Sequence, residues 1–317
     1  MMNQLRENIL STFSILPNEL NRLILTAPHR YKVFYIPKKK TGLLREIAQP
    51  AQELKVIQSW LVNYLSKHLP IHDCAVAYRL NRGIKHNALR HVGKKFVLKM
   101  DLENFFPSIG QKDIEKHISK YSGDKLSADD VSDICRIVLW SPKNRRGRHL
   151  CIGAPSSPFI SNSIFYDLDS AIDDYCRDHE VTYTRYADDL TFSTNHENIL
   201  NVIERFVYKV IGEADYPTLS VNKAKTVHTS KGRGISVTGV VITPTGKLSI
   251  GRERKRIIRA SIHHFLAQKL SFDEIQKLNG LLAFSQDIEP EFIEGMKLKY
   301  GKDILHKIRN YLAQNNS

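Results

Sequence analysis

The sequence predicts an α+β fold, and three observations carry that prediction. Two apolar, β-leaning runs, Val181 to Arg185 and Leu190 to Ser193, flank Tyr186-Ala187-Asp188-Asp189 as the arms of a hairpin. Over residues 96 to 101, Phe96, Leu98 and Met100 alternate with Val97, Lys99 and Asp101, the pattern of a strand facing a core. Helical periodicity surrounds these strands, and from Arg252 onward the chain reads as several helices with short breaks.

Taken in order, residues 1 to 30 read as amphipathic helix interrupted at Leu16-Pro17 and Ala27-Pro28. Tyr31 to Ile36 has strand composition. Lys38-Lys39-Lys40-Thr41-Gly42 then turns the chain into Leu43 to Ile47, which predicts a hairpin with a basic tip. Such a charge run is either solvated or a seat for phosphate. Residues 51 to 69 form a helix with Leu54, Ile57, Leu61, Tyr64 and Leu65 on one face. Leu126 to Trp140 is a second helix with Ser127 as its N-cap. The loop after it carries Lys143, Arg145, Arg146 and Arg148, cations suited to backbone phosphates. Ile160, Ile164, Leu168 and Ile172 repeat every four residues and predict one long buried helix running from Pro155 to about Cys176. A further helix covers about Glu197 to Ile211.

Composition narrows the chemistry. The chain has 317 residues, 42% of them hydrophobic, ample for a buried core. Its formal net charge of +14 calls for a polyanionic partner, and nucleic acid fits that better than membrane. No apolar run approaches the roughly 20 residues that span a bilayer, and the N-terminus lacks a signal-peptide pattern, so a cytoplasmic protein is expected. Cys74, Cys135, Cys151 and Cys176 are too dispersed for a zinc or redox motif and read as free thiols. Adjacent residues diverge on a helix, so His263 and His264 are not a metal pair.

An Asp-Asp pair alone is most often a solvated turn or a helix cap. Here, however, Asp101 ends a strand, and if that strand neighbours the hairpin, three carboxylates converge. Like charges so close repel unless a cation sits among them. Hard oxygen ligands favour Mg²⁺, and two such ions about 3.5 to 4 Å apart serve in-line phosphoryl displacement. Polymerase chemistry is the leading reading.

At this point the chain resembles the reverse transcriptases, and within them the small bacterial retron type. YADD at 186 to 189 resembles the motif of their catalytic hairpin, and DLENFFPSI from Asp101 the motif bearing the first metal ligand. Gly153-Ala154-Pro155-Ser156-Ser157-Pro158 resembles the loop opening the helix beneath primer and template. Asn87-Ala88-Leu89-Arg90-His91 matches the retron NAxxH signature, and Val237-Thr238-Gly239 the VTG signature.

The resemblance implies a right-hand polymerase, with N-terminal helices and fingers over 1–95, palm over 96–245 and a basic helical thumb over 246–317. It implies two Mg²⁺ ions on Asp101, Asp188, Asp189 and the carbonyl of Leu102, the three aspartates being catalytic. For the incoming dNTP it implies a fingers lysine, taken as Lys40, and Arg45 in the family's Arg-x-Ile. Backbone N–H groups of Asn104 and Phe105, the loop residue Ala154, and Phe106 under the sugar join them. One of Phe105 and Phe106 is expected to be ordinary core. Lys225 matches the family's lysine near the pyrophosphate, or is simply an exposed lysine. Many members have Gln where this chain has Ile152, whose alkyl group cannot donate that hydrogen bond.

From Lys223 to Arg259 ten residues are Lys or Arg and only Glu253 is acidic. Arg252, Lys255, Arg256 and Arg259 fall on one stripe of a helix whose Ile258, Ile262 and Phe265 can face inward, which suits a nucleic-acid backbone. An amphipathic helix on an anionic membrane is the rival for that segment. Asn87 and His91, one turn apart, either contact RNA or pin the palm by hydrogen bonds. The activity implied is copying part of a cognate structured non-coding RNA into single-stranded DNA (msDNA), primed from an internal guanosine 2′-hydroxyl, in anti-phage defence. The implied partners are that RNA and its DNA product, an accessory effector protein and a host RNase H. A group II intron maturase is the alternative enzyme, although such proteins usually carry a longer C-terminal region. An inactive RNA-binding scaffold is the alternative outside enzymes, and the three aspartates argue against it.

Overall fold

In the computed structural model, residues 4–38, 42–144, 146–230, 232 and 234–315 are described. Helices α1 (Gln4–Phe13) and α2 (Pro17–Thr26) open the chain, broken where Pro17 and Pro28 remove backbone donors. Strands β1 (Tyr31–Pro37) and β2 (Leu44–Pro50) pair antiparallel, Ile36 opposite Arg45. Next come α3 (Gln52–Leu65), α4 (Ile84–Leu89), β3 (Phe96–Asp101), α5 (Gln111–Ser122) and α6 (Ala128–Val138). Ser127 caps α6 as expected, its hydroxyl accepting from Asp130 N while Asp130 accepts from Ser127 N.

The long helix expected after Pro155 is two helices, α7 (Ser157–Ile164) and α8 (Tyr166–Asp178). The break is at Phe165, whose ψ of 0° lets the path bend while Ile160, Ile164, Leu168 and Ile172 all remain buried. Strands β4 (Thr182–Tyr186) and β5 (Asp189–Thr194) follow, then α9 (Ile199–Glu213), β6 (Val227–Ser230), β7 (Ile235–Val237), β8 (Val240–Ile242) and β9 (Leu248–Ser249). Four helices close the chain: α10 (Arg252–Leu266), α11 (Phe272–Ile288), α12 (Pro290–Tyr300) and α13 (Ile304–Gln314).

The central sheet has the order β4-β5-β3-β6, with every pairing antiparallel. Its two faces differ because side chains alternate along each strand. Leu98 and Met100 of β3, with Leu190 and Phe192 of β5, pack under α8 and α9 against Phe165, Ile172, Ile203 and Val207. Val97 points the other way and joins the cluster made by β7, β8 and α10 to α13. A third cluster binds α1, α2, α3, α5, α6 and α7. The four cysteines are buried free thiols, and burial pushes those of Cys135 and Cys151 up to about 12. Among the described residues no helix is long and apolar enough to cross a membrane.

Candidate active site

The sheet register brings the acids together. Asp101, last in β3, lies opposite Asp189, first in β5. Tyr186 pairs with Asp189, leaving Ala187 and Asp188 as a two-residue turn. Ala187 sits in the left-handed region at φ 58°, the reversal that lifts Asp188 toward Asp101. Leu102 N donates to Asp188 O at 3.0 Å and fixes the turn against the end of β3. Burial, then the charges of Asp188 and Asp101, push Asp189 up to about 6. Asp189 keeps an exposed flank, so water screens part of that repulsion. Asp188 is raised too, by burial first and by Asp101.

Lys225, on a 3₁₀ turn, places Nζ 2.7 Å from Asp101 Oδ1, and this hydrogen bond above all raises the lysine. Among the described residues no three His, Cys, Asp or Glu side chains stand close enough to hold an ion as they are, and Asp101 is engaged by Lys225 instead. The donor chemistry still suits a hard divalent cation. Three carboxylates stand at two adjoining strand ends, and the two raised ones, Asp188 and Asp189, are raised partly by the negative charge of neighbouring carboxylates, which a cation would relieve.

Two of the three carboxylates, Asp101 and Asp188, border a cleft of about 480 Å³, and Asp189 lies outside its lining. Asp101, Asp188 and Lys225 line it on one side, Lys38 and Arg45 on another, with Tyr78, Phe106, Trp140 and Ile152 as walls. Asn104, at φ 46°, turns the chain so that the residues after β3 border the cleft. Phe105 is the core residue of the aromatic pair, 4% exposed, while Phe106 is half-buried beside Tyr78. Lys40 lies outside the described residues. Ile152 O accepts from Ala48 N at 2.9 Å, which locks the Gly153 loop to β2.

Several expected site residues are placed elsewhere. Ala154 is buried among Ala48, Trp140 and Cys151, and it borders a second hollow that shares Tyr78, Phe106, Cys151 and Ile152 with the cleft. Asn87 and His91 are fully buried and cannot touch RNA from that position. His91 instead bridges β5 and β4, Nδ1 to Ser193 Oγ and Nε2 to Thr184 Oγ1, each at 2.7 Å. Asn87 Nδ2 reaches Thr238 Oγ1 at 3.4 Å, so the NAxxH and VTG segments meet each other. The polar face of the sheet needs these partners, because buried hydroxyls left unpaired are costly. On α10, Arg252, Arg256 and Arg259 are exposed, but Lys255 faces α12, pairing with Glu289 at 2.5 Å and lying over Phe292. Sequence reasoning missed Tyr78 and a buried set under the hairpin, Asn162, Asp169 and Arg185. An arginine inside an apolar strand pattern, directly before YADD, was the available signal for the latter.

The sequence profile of a family described as reverse transcriptase (RNA-dependent DNA polymerase) matches residues 36–242. The chain is 38% identical over 283 residues to the Retron Ec83 reverse transcriptase of Escherichia coli, covering 89% of this chain and 90% of that one. It is 32% identical to the Retron Ec86 reverse transcriptase of the same organism, with 98% and 94% covered. A solved apo telomerase from Candida tropicalis is also similar, with a TM-score of 0.49, 13% identity, and 88% of this chain and 60% of that one covered. The chain belongs to the reverse transcriptases, RNA-directed DNA polymerases with the right-hand fold. Its type within that family is the retron reverse transcriptase.

Proposed function

We propose that the cleft between β2 and the ends of β3 and β5 is where this enzyme adds nucleotides. The observation that carries the assignment is the register that sets Asp101 against Asp189 with Asp188 on the adjoining turn. Two Mg²⁺ ions held by Asp101, Asp188, Asp189 and the Leu102 carbonyl would polarise the attacking and leaving oxygens of an in-line displacement. Arg45 and Lys38 stand where they can bind a triphosphate, and Lys225 where it can offer charge or a proton to the departing pyrophosphate. Backbone N–H groups of Asn104 and Phe105 add donors, and the half-buried ring of Phe106 supports the sugar. Ile152 supplies an apolar wall where a Gln would donate.

Fingers over 1–95, palm over 96–245 and thumb over 246–317 complete the reading, with Arg252, Arg256 and Arg259 following the RNA backbone. The template is a cognate structured non-coding RNA, part of which is copied into msDNA from an internal guanosine 2′-hydroxyl. The naming of the relatives as retron enzymes supports this. An accessory effector, removal of template by a host RNase H, a cytoplasmic setting and a role in anti-phage defence belong to the same proposal. Converting Asp188 and Asp189 to Asn tests the site. DNA synthesis on the copurifying RNA should disappear while RNA binding persists, and continued synthesis would refute the assignment.

A further inference from the structure

Beneath the hairpin lies a polar linkage that the chemistry above does not use. The side chains of Arg185 on β4 and Asp169 on α8 are both 0% exposed, and the guanidinium donates to the carboxylate through Nε at 2.9 Å and Nη2 at 2.7 Å. Its remaining nitrogen, Nη1, donates to Asn162 Oδ1 at 3.0 Å and to Ala187 O at 3.2 Å. Asn162 Nδ2 in turn donates to Ala77 O at 2.9 Å. One buried arginine therefore touches the carbonyl of the YADD turn. Through Asn162 it also holds the backbone just before Tyr78, a wall of the cleft with φ 61°.

Stability alone does not explain the arrangement. Removing two charges from water is costly, and apolar residues of equal volume commonly replace a buried ion pair without loss. What such residues cannot supply is directed donors. A non-glycine residue at positive φ is held above its relaxed conformation, so the Ala187 turn, at φ 58°, stays put only if its surroundings fix it. Ala187 is buried, and its carbonyl would have no donor in place of Arg185 Nη1.

The geometry points to Arg185, with Asn162, as positioning residues that lock the aspartate-bearing turn to the opposite wall of the cleft. This rests on the reading that Asp188 and Asp189 serve the chemistry. A lysine at 185 keeps the charge on Asp169, but one ammonium cannot reach Asp169, Asn162 and Ala187 together. Displacing reacting groups by about 1 Å costs on the order of 100-fold in rate.

Two variants test it, Arg185→Lys and the apolar triple Asp169→Leu/Tyr183→Phe/Arg185→Met, which also removes the Tyr183 hydroxyl that donates to Asp169. Both should bind RNA as wild type does, with kcat down about 100-fold, the KM for dNTP unchanged, and faster amide exchange over residues 186–190. A triple variant with wild-type kcat overturns the inference. So does loss of RNA binding and fold in both variants, which would make the linkage a folding element only. Asp188→Asn/Asp189→Asn runs alongside. If that control still synthesises DNA, the site reading itself has failed; if it is dead while the Arg185 variants are fully active, only the positioning role has.

Discussion

Lys225 and Asp101 form an ion pair across the mouth of the cleft, Nζ to Oδ1 at 2.7 Å, joining the turn before β6 to the last residue of β3. The lysine is 61% exposed and the aspartate 13%, so the pair contributes little to folding. In the proposed chemistry its importance lies in what each partner does when substrate arrives.

Replacing Lys225 with Gln should therefore leave the unfolding midpoint nearly unchanged while lowering kcat about 100-fold, the usual range for a lost proton donor or charge. Single-nucleotide extension alongside thermal unfolding checks this. A variant with normal kcat would make Lys225 an ordinary surface lysine.

Gly153 should tolerate no side chain. A Cβ there would lie 2.8 Å from Ala48 O, and φ is +118°. Gly153→Ala is expected to lose about 2–3 kcal/mol in urea unfolding through strain and the displaced Ala48–Ile152 hydrogen bond. Loss of nucleotide affinity should accompany it, because the same contact sets β2, and with it Arg45, against the cleft.

Acid should weaken the fold through its buried histidines. Burial lowers His91 to about 3 and His117 to about 4. Both stay neutral in the folded chain while the unfolded chain takes up protons below its ordinary value near 6.5. The unfolded state then binds more protons, so stability falls as pH drops through 6.5, by about 2 kcal/mol per histidine between pH 7 and 5. His91→Asn, less stable throughout, should show the shallower slope; an equal slope would mean that His91 is not held neutral.

The basic face of α10 divides into two kinds of residue. Arg252→Ala and Arg256→Ala should each reduce the slope of log affinity against log salt for RNA by about 1. Lys255→Ala should leave that slope alone and lower stability instead, since the carboxylate of Glu289 would keep its bonds from Ser249 and Ile250 but lose its cation. A reduced slope for Lys255→Ala would return that residue to the RNA surface.

The sequence disclosed what is periodic or local. Strand β3, the hairpin, the capped α6 and the breaks at Pro17 and Pro28 follow from alternation, capping and proline chemistry, and Asp101 and Asp188 border the cleft as their strands required. What it hid depends on partners distant in the chain. Lys255 shares a helical stripe with Arg252 and Arg256, but Glu289, just before α12, and Phe292 within it turn it inward. Asn87 and His91 looked available because no sequence pattern shows that Thr184, Ser193 and Thr238 surround them. The packing of Ala154 was equally hidden, because a motif loop has two sides and only contact with Ala48 and Trp140 fixes how deeply it sits.

The burial of all four native thiols makes the enzyme convenient to watch at work. A maleimide dye finds no accessible sulfur on the folded chain, so a cysteine introduced at exposed Tyr35 could be labelled selectively in the otherwise unaltered protein. Fluorescence from that probe would follow the β1–β2 hairpin when template and nucleotide are added.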